Sequence, residues 1–407
     1  MNPVVLAVAA VTYAGIAIGG IPGLALDRTA IALIGAICMI ATGELSTHDA
    51  VMSIDVPTIL LLYGLMVLSS QFRLGGFYTQ VALRLTSLLQ RPRTFLLAVM
   101  AASALLSAVL MNDIVCLAFT PVLTVSVLSA GLNPVPFLIG LAAASNIGSA
   151  ATIIGNPQNM LIGQLGMLHF GRFLLWCGPP STLALAAAYL VIGRIYRGDL
   201  AKTPSPAGRP DASWPAFDRH QSMKGIAATA VLIGLFFTSV PREISAICVA
   251  GVLLCSRSMH TRSILGLVDW HLLTLFCGLF IVVKGVETTG LPLVAVDFLA
   301  RRGIDLRNLY LLTLVSGGLS NLVSNVPATM LLTKFLDPSQ HPQWYALALS
   351  STFAGNLITI GSIANLITFE QAKTFGVEIG FREHARAGIP VTVASFVIAA
   401  GWIALAG

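Results

Sequence analysis

Residues 145–159 read SNIGSAATIIGNPQN, a polar, glycine-containing stretch inside the apolar segment 134–167. A helix that crosses a bilayer needs about 20 mostly apolar residues, and this segment is longer and carries Asn, Gly and Pro near its centre. Because Gly and Pro interrupt helices, the pattern predicts a helix that is broken at its middle. The segment 341–370 contains AGNLITIGSIAN at 354–365 and predicts a second broken helix.

Two other apolar segments, 94–130 and 307–336, are each interrupted by a short polar stretch centred on Asn. The first contains MND at 111–113, and the second contains SNVPAT at 324–329. Each segment is long enough for two half-helices that enter and leave the membrane on the same side. The pattern therefore predicts two re-entrant hairpins, whose tips lie inside the membrane.

The composition places the chain among membrane proteins. Of its 407 residues, 56% are hydrophobic and 10% are charged, whereas soluble domains carry about 25% charged residues. The mean hydropathy is +0.86. These values exclude a single water-soluble domain, a disordered chain and a disulfide-stapled protein. Because the apolar runs are continuous rather than alternating, they argue against an outer-membrane barrel and predict an all-α polytopic membrane protein.

The charged loops predict the orientation in the membrane. The formal net charge of +6 is explained by basic loops that hold membrane topology, so we expect no nucleic acid as a partner. Loop 44–55 carries acidic residues but no Lys or Arg, whereas loop 73–93 is rich in Arg. This asymmetry predicts both termini outside, in the inner (cytoplasmic) membrane of a bacterium or archaeon. The turn-rich residues 201–221 are expected to form a cytoplasmic linker.

An internal repeat divides the chain into a first half, 1–200, and a second half, 222–407. Each half holds about five spans plus one hairpin, and because five is odd the second half must be inverted relative to the first. Inverted repeats around broken helices are typical of secondary transporters. The pairs that indicate the repeat are Arg28 with Arg242, Asp55 with Asp269, Gly64 with Gly278, Asn112 with Asn325 and Asn159 with Asn365.

The hairpin tips and helix breaks are rich in Asn, Ser, Thr and Gly. Non-helical backbone inside a membrane must line protein or water, half-helix N-termini attract anions and oxygen-rich solutes, and Asn offers both donors and acceptors. Small polar residues also hold helices together, but four clusters at repeat-related positions favour a binding site. The candidate solute-binding residues are Asn112, Asp113, Asn146, Gly155, Asn156, Asn159, Asn325, Thr329, Asn356, Ser362 and Asn365.

Asp113 is the only acidic residue in these clusters. A carboxylate inside a membrane segment is energetically costly and usually functional, so our hypothesis is that Asp113 carries or couples a proton. The alternative is a solvated carboxylate at a wet hairpin tip. Lys334, in the second half-helix of its hairpin, either faces the cavity or reaches the outer surface. Lys284 and Glu287, three positions apart, predict a local ion pair.

The sequence contains no P-loop, nucleophile elbow or H-E-x-x-H motif. We therefore expect a transporter rather than an enzyme, without a cofactor and driven by an ion gradient. The six cysteines lie in apolar stretches and form no C-x-x-C pair, so no metal site is predicted from them.

At its polar clusters the chain resembles the ion transporter superfamily, which includes arsenite permeases, divalent-anion/sodium symporters and bacterial anion permeases. Asn112-Asp113 and the Asn325-x-Pro327 stretch resemble the arsenite permeases, whereas GNPQN at 155–159 resembles the anion permeases. The resemblance covers nearly the whole chain, and its further pieces are VDW at 268–270 and GSIANL at 361–366.

The resemblance implies a moving transport domain, built from the hairpins, the broken helices and the spans that follow them. The remaining spans would form a scaffold that is often the interface of a homodimer. An elevator-like motion would carry the site across the membrane. The resemblance groups Asn112 and Asp113 with Asn146, Gly155 and Asn159 in one half of the site, and Asn325 and Thr329 with Asn356, Ser362 and Asn365 in the other. The arsenite permeases also suggest a separate ATPase subunit as a partner.

The hairpin tips differ from those of the sodium symporters, which carry Ser-Asn-Thr at both tips. Here the tips read Met-Asn-Asp and Ser-Asn-Val, which favours H⁺ over Na⁺ as the coupling ion. Were sodium to bind, its ligands would lie near Asn112, Asn159, Asn325 and Asn365.

The function that these observations favour is efflux of arsenite or antimonite in exchange for protons, because a neutral trihydroxide suits amide and hydroxyl groups without an Arg. The alternative is Na⁺- or H⁺-coupled uptake of an oxyanion or dicarboxylate, with Lys334 supplying charge. A passive channel is a third hypothesis, but paired hairpins that enter from opposite sides favour alternating access.

Overall fold

The structure is a computed structural model, and its described part is helical without a β-strand. The predicted linker, 201–221, contains residues outside this part. The described residues are 3–20, 24–205, 214, 216–290 and 305–406.

The described first half contains long apolar helices and two short ones, α3 and α5, that the sequence pattern did not indicate. Helices this short complete too few turns for an apolar periodicity to be recognised. The bounds are α1 Pro3–Ile18, α2 Arg28–Ala41, α3 Thr47–Met52, α4 Val56–Leu74, α5 Phe77–Leu85, α6 Pro92–Val109, α7 Asn112–Ser129, α8 Val135–Ser149, α9 Pro157–Leu165 and α10 Phe170–Ile195.

The described second half contains nine α-helices, among them α13, another short helix that was not predicted. Its bounds are α11 Arg219–Phe236, α12 Arg242–Leu254, α13 Thr261–Leu265, α14 Trp270–Thr288, α15 Leu309–Val323, α16 Asn325–Leu332, α17 His341–Ala354, α18 Ile363–Thr374 and α19 Phe381–Ala406.

Six of the described helices are long and apolar enough to cross a membrane, namely α4, α6, α7, α10, α14 and α19. The shorter helices α1, α2, α8 and α15 are also apolar. The prediction of an all-α polytopic membrane protein is therefore confirmed.

The helices are interrupted where the polar clusters lie. Helix α6 packs against α7, and the two meet at Leu110 and Met111; α15 packs against α16, and these meet at Ser324, whose φ is +74°. Residues 150–156 separate α8 from α9, and residues 355–362 separate α17 from α18. Both predicted helix breaks thus coincide with the Gly- and Asn-containing stretches.

Helices α1, α2, α4, α11, α12 and α14, which we call the scaffold helices, pack across the two halves. Helix α4 packs against α12, and α14 packs against α2. A Cβ on Gly64 would lie 2.8 Å from the backbone of Ala246, and a Cβ on Gly278 would lie 2.9 Å from the backbone of Ala32. Glycine therefore permits the same close crossing twice, at positions 214 residues apart.

Helices α6–α9 and α15–α18, which we call the core helices, also exchange contacts between the halves. Helix α7 packs against α18, and α9 packs against α16. Each hairpin therefore contacts the broken helix of the other half, which brings all four polar clusters into one region.

Candidate functional site

The first helix break is built from Gly155, Asn156 and Asn159. A Cβ on Gly155 would lie 2.2 Å from the carbonyl oxygen of Ser149, so only glycine fits this turn. The Asn156 side chain accepts a hydrogen bond from the Asn159 amide and caps α9. Asn159 Nδ2 donates to the carbonyl oxygens of Ser149, at 3.2 Å, and Thr152, at 3.0 Å. These carbonyls lie at and beyond the end of α8, so Asn159 satisfies groups that the break has freed.

The second break has the same internal arrangement. Asn365 Nδ2 donates to the carbonyl oxygens of Gly355, at 2.7 Å, and Ile358, at 3.3 Å. These acceptors precede Asn365 by 10 and 7 residues, as Ser149 and Thr152 precede Asn159. Ser362 caps α18 by accepting from the Ala364 amide. The repeat seen in the sequence is therefore also a repeat of hydrogen bonds.

The hairpin tips bind to the breaks. The backbone N–H of Asn112 donates to the carbonyl oxygen of Gly155 at 3.2 Å, and Ser145 Oγ donates to the Asn112 carbonyl oxygen at 3.1 Å. With its amide oriented to suit its neighbours, Asn325 Nδ2 donates to the carbonyl oxygens of Gly361, at 3.1 Å, and Ser351, at 3.2 Å. Each tip thus contacts the break of its own half.

Asn146, which is 2% exposed, joins the two halves. Its Oδ1 accepts from Ser362 Oγ at 2.8 Å and from Asn112 Nδ2 at 3.4 Å. Its Nδ2 donates to Asn356 Oδ1 at 2.9 Å and to Asn365 Oδ1 at 3.2 Å. Three of these four partners belong to the second half, so Asn146 is bonded mainly across the repeat.

Thr352 occupies the matching place in the second half, 206 residues after Asn146. Its Oγ1 accepts from Asn156 Nδ2 at 3.3 Å and from Gln158 Nε2 at 3.4 Å. The pattern thus repeats, because the cap of each broken helix bonds to the preceding helix of the other half. The solute-binding residues predicted from the sequence did not include Thr352, Gln158 or Ser145. The 206-residue offset was the signal that could have identified Thr352.

The electrostatic character of the site comes from the backbone. Helices α7, α9, α16 and α18 all begin in this network, and each N-terminus carries a partial positive charge. Among the described residues, no Lys or Arg side chain forms a hydrogen bond within it. Such a site favours oxygen-rich solutes without holding a full positive charge.

Several buried polar atoms in and around the network lack a hydrogen-bond partner within the described residues. They include Asn112 Oδ1, Asn356 Nδ2 and Thr329 Oγ1. The first is an acceptor, the second is a donor and the hydroxyl is both. Unpartnered buried polar atoms are costly, so a solute with both donors and acceptors would satisfy them.

Nine of the eleven predicted site residues contribute to this network. Asp113 and Thr329 do not: Asp113 is half-buried in the first turn of α7, and no hydrogen bond to its carboxylate is found in the described part. Thr329 is fully buried in α16. The nine are Asn112, Asn146, Gly155, Asn156, Asn159, Asn325, Asn356, Ser362 and Asn365.

Two cavities lie between the scaffold and the core helices. One of about 430 Å³ is lined by Arg28, Asp269, Ile360 and Ile363, and so borders the second break. The other, of about 550 Å³, is lined by Asp55, Glu287, Met330 and Lys334.

Lys334 lies in a short turn after α16 and pairs with Glu287 at 3.6 Å. The predicted pair of Lys284 with Glu287 is confirmed at 3.2 Å. The side chain of Lys334 therefore faces a cavity between the scaffold and the core helices.

Comparisons with known proteins identify a family and several relatives of this chain. Residues 7–354 match the citrate transporter family CitMHS. An uncharacterised Mycobacterium tuberculosis transporter, Rv2684, is 29% identical over 92% of both chains. The silicon efflux transporter LSI3 of rice, Oryza sativa subsp. japonica, is 29% identical over 92% of this chain and 91% of its own.

Two further proteins are similar over most of their length. A Dictyostelium discoideum protein with the name arsB is 24% identical over 94% of this chain and 88% of its own. The structure of this chain is similar to the crystal structure of the Alcanivorax borkumensis YdaH transporter, with a TM-score of 0.58. The match covers 99% of this chain and 97% of the YdaH chain. At 15% identity this second likeness concerns the fold alone.

Proposed function

The chain belongs to the citrate transporter family CitMHS and is a secondary transporter rather than an enzyme, and we propose that it exports a small uncharged hydroxide in exchange for protons. Arsenous acid is our first choice and antimonous acid the second, with silicic acid in the same chemical class. The transported class is defined by hydroxyl groups that both donate and accept hydrogen bonds.

The observation that carries the proposal is the set of unpartnered groups around the network. Asn112 Oδ1 requires a donor, whereas Asn356 Nδ2 requires an acceptor. A hydroxide solute supplies both from one kind of group, whereas a carboxylate supplies acceptors only. Two relatives support this class of solute, because one is named a silicon efflux transporter and another carries the name arsB.

The alternative is Na⁺- or H⁺-coupled uptake of an oxyanion, a dicarboxylate or citrate. The name of the family favours it, as do the four helix N-termini, which attract negative charge. A fully ionised oxyanion or dicarboxylate would leave Asn112 Oδ1 without a donor, whereas the hydroxyl group of citrate would supply one. Lys334 would supply positive charge only from the cavity edge, where Glu287 already pairs with it.

The occupied carbonyls at the breaks support protons over sodium as the coupling ion. The oxygens of Ser149, Thr152, Gly355 and Ile358 each accept from an Asn amide. Backbone carbonyls are common ligands for Na⁺ at unwound helices. Here an Asn amide group donates to these carbonyls in the place that a sodium ion would take. Asp113 remains our candidate for the proton carrier, because it is the acidic side chain at a hairpin tip.

We further propose that the halves are inverted repeats and that an elevator-type motion moves the core helices against the scaffold helices. The exchanged contacts of α4 with α12 and of α14 with α2 support this arrangement. On this proposal the protein lies in an inner membrane with both termini outside and dimerises through the scaffold. A separate ATPase subunit remains a partner to test by co-purification.

The test is solute flux in proteoliposomes that contain the purified full chain. Arsenite, silicic acid and citrate would each be offered under a pH gradient and, separately, under a Na⁺ gradient. We expect uphill arsenite movement driven by pH alone, with counterflow that saturates. Citrate movement that depends on Na⁺ would overturn the proposal, and flux that neither saturates nor runs uphill would identify a channel.

A matched pair of variants separates the site from the rest of the hairpins. Asn146→Ala removes the residue that joins the halves and should abolish flux. Asn308→Ser changes an Asn whose side chain only caps α15, and because Ser is also a capping residue the flux should persist. Equal flux through both variants would place the solute elsewhere.

A further inference from the structure

Helix α19 touches the second break through a buried histidine. His384 is 3% exposed, and its Nε2 lies 3.1 Å from the carbonyl oxygen of Asn356. Its ring also packs edge-on against Phe369 of α18, with centroids 5.2 Å apart. A residue outside the four polar clusters is thus in contact with the backbone of the network.

The chemistry of this contact fixes the protonation of the ring. A carbonyl oxygen only accepts hydrogen bonds, so Nε2 of His384 carries the proton and donates it. The Asn356 carbonyl lies just beyond the end of α17 and has no helical partner there. His384 therefore satisfies a backbone acceptor that the break has freed, as Asn365 does for Gly355 and Ile358.

Gly388 completes this contact, one turn further along the same face of α19. A Cβ at Gly388 would lie 2.4 Å from the Asn356 carbonyl oxygen and 3.0 Å from His384 Nε2. No larger residue fits without moving the break. His384 and Gly388 thus form a seat for the backbone of Asn356.

The side chain of Asn356 connects this backbone contact to the candidate site. Its Oδ1 accepts from Asn146 at 2.9 Å, whereas its Nδ2 has no hydrogen-bond partner in the described part of the chain. The direction of this free donor depends on where the Asn356 backbone is held.

We propose that His384 is a positioning residue for the solute: it holds Asn356 so that Nδ2 points at the solute, and so sets the affinity. The inference rests on the proposed function in one respect, that solute binds at the network around Asn146. It does not depend on which solute is carried.

Two amide variants test the role of the Nε2 donor. Glutamine carries an amide nitrogen at about the reach of Nε2, whereas asparagine is one methylene shorter. Both are uncharged and polar, so they differ mainly in whether a donor reaches the Asn356 carbonyl. Saturable uptake would be measured in proteoliposomes for wild type, His384→Gln and His384→Asn, with whichever of arsenite, silicic acid or citrate the wild type transports.

We expect His384→Asn to raise KM about 10-fold, because a buried carbonyl loses its donor, while the maximal rate changes less than about twofold. His384→Gln should restore KM to within about threefold of wild type. Gly388→Ala should raise KM as His384→Asn does, because it displaces the same carbonyl. Thr392→Val, which alters a buried hydroxyl elsewhere on α19, is the matched control and should leave KM unchanged.

The proposal is overturned if His384→Asn and His384→Gln have the same KM, or if only the maximal rate changes. Transport of citrate alone by the wild type would instead overturn the proposed function, and the two histidine variants would still report on the positioning role. Size-exclusion elution of each purified variant establishes that folding is retained.

Discussion

The two broken helices are alike at their breaks but differ in how their second halves meet the scaffold. Arg242 of α12 donates to the carbonyl oxygens of Leu168 and Gly163, at the end of α9 and just beyond it, and to Gln164 Oε1. Helix α9 also packs against α4. A cation at the negative end of a helix is favourable, so Arg242 anchors α9 to the scaffold.

Arg28 is the counterpart of Arg242, 214 residues earlier, and it is not engaged in this way. Among the described residues its guanidinium donates no hydrogen bond. It lines the cavity of about 430 Å³ together with Ile363 and Leu366 of α18. The end of α9 is therefore bonded to the scaffold through Arg242, whereas Arg28 faces a cavity between the scaffold and α18.

Arg28 and Arg242, at equivalent positions of the two halves, thus occupy unequal environments in one structure. On the proposed alternating-access mechanism, we expect the opposite-facing state to exchange these two environments between the halves. Substitutions can therefore test Asn146, which bonds to residues of both halves, and then the positions at which the two halves differ.

The largest effect is expected at Asn146, because it bonds to both halves. Asn146→Ala leaves Ser362 Oγ and Asn356 Oδ1 without their partner, and each lost buried hydrogen bond costs about 1–3 kcal/mol. We expect solute affinity to fall about 100-fold or more in a binding titration. Thr352→Val, at the counterpart position, should weaken it only about threefold to tenfold, since Thr352 makes weaker contacts. Equal losses would mean that the two halves contribute alike.

The hairpin tips provide the next contrast, because Asp113 in the first half corresponds to Val326 in the second. We expect Asp113→Asn to abolish uphill transport driven by a pH gradient, since the amide cannot carry a proton. Counterflow between equal pH values should persist. Uphill transport retained by Asp113→Asn would remove this residue from the coupling mechanism.

A smaller effect is expected when the anchor of α9 is removed. Arg242→Ala deletes charge-assisted bonds that stabilise the state described here, at a cost of about 1–3 kcal/mol. A cysteine introduced at Leu366, with the six native cysteines replaced, would report the open cavity by its labelling rate. We expect Arg242→Ala to slow labelling several-fold and Arg28→Ala to change it little. The reverse order would show that Arg242 does not hold this state.

The smallest effect is expected at the ion pair of Lys334 with Glu287. Both side chains are partly exposed, at 34% and 41%, and such pairs contribute about 0–1 kcal/mol. Lys334→Gln should change the transport rate less than about threefold, and the difference should shrink in high salt. A loss comparable to that of Asn146→Ala would instead assign Lys334 to the solute, as the oxyanion hypothesis requires.

Much of the fold was predictable from the sequence because its signals are local. Apolar stretches predict helices, and the Gly and Asn clusters at 150–156 and 355–362 predict where helices break. Eight of the nine candidate residues in the network carry a polar side chain, and they could be recognised because such a side chain in an apolar segment stands out in the sequence.

Sequence alone was sufficient to predict the class of protein, the long apolar helices, the two breaks and the polar residues that line them. The tertiary structure decided that Asn146 bonds to Asn356 rather than mainly within its own half, that His384 holds the break, and that Arg242 but not Arg28 is engaged. Asn146 and Asn356 are 210 residues apart in the sequence, so no local sequence pattern indicates the hydrogen bond between them. Such contacts depend on how the helices pack against one another. Because Arg28 and Arg242 occupy matching positions of the repeat, the sequence alone cannot show which of them is bonded.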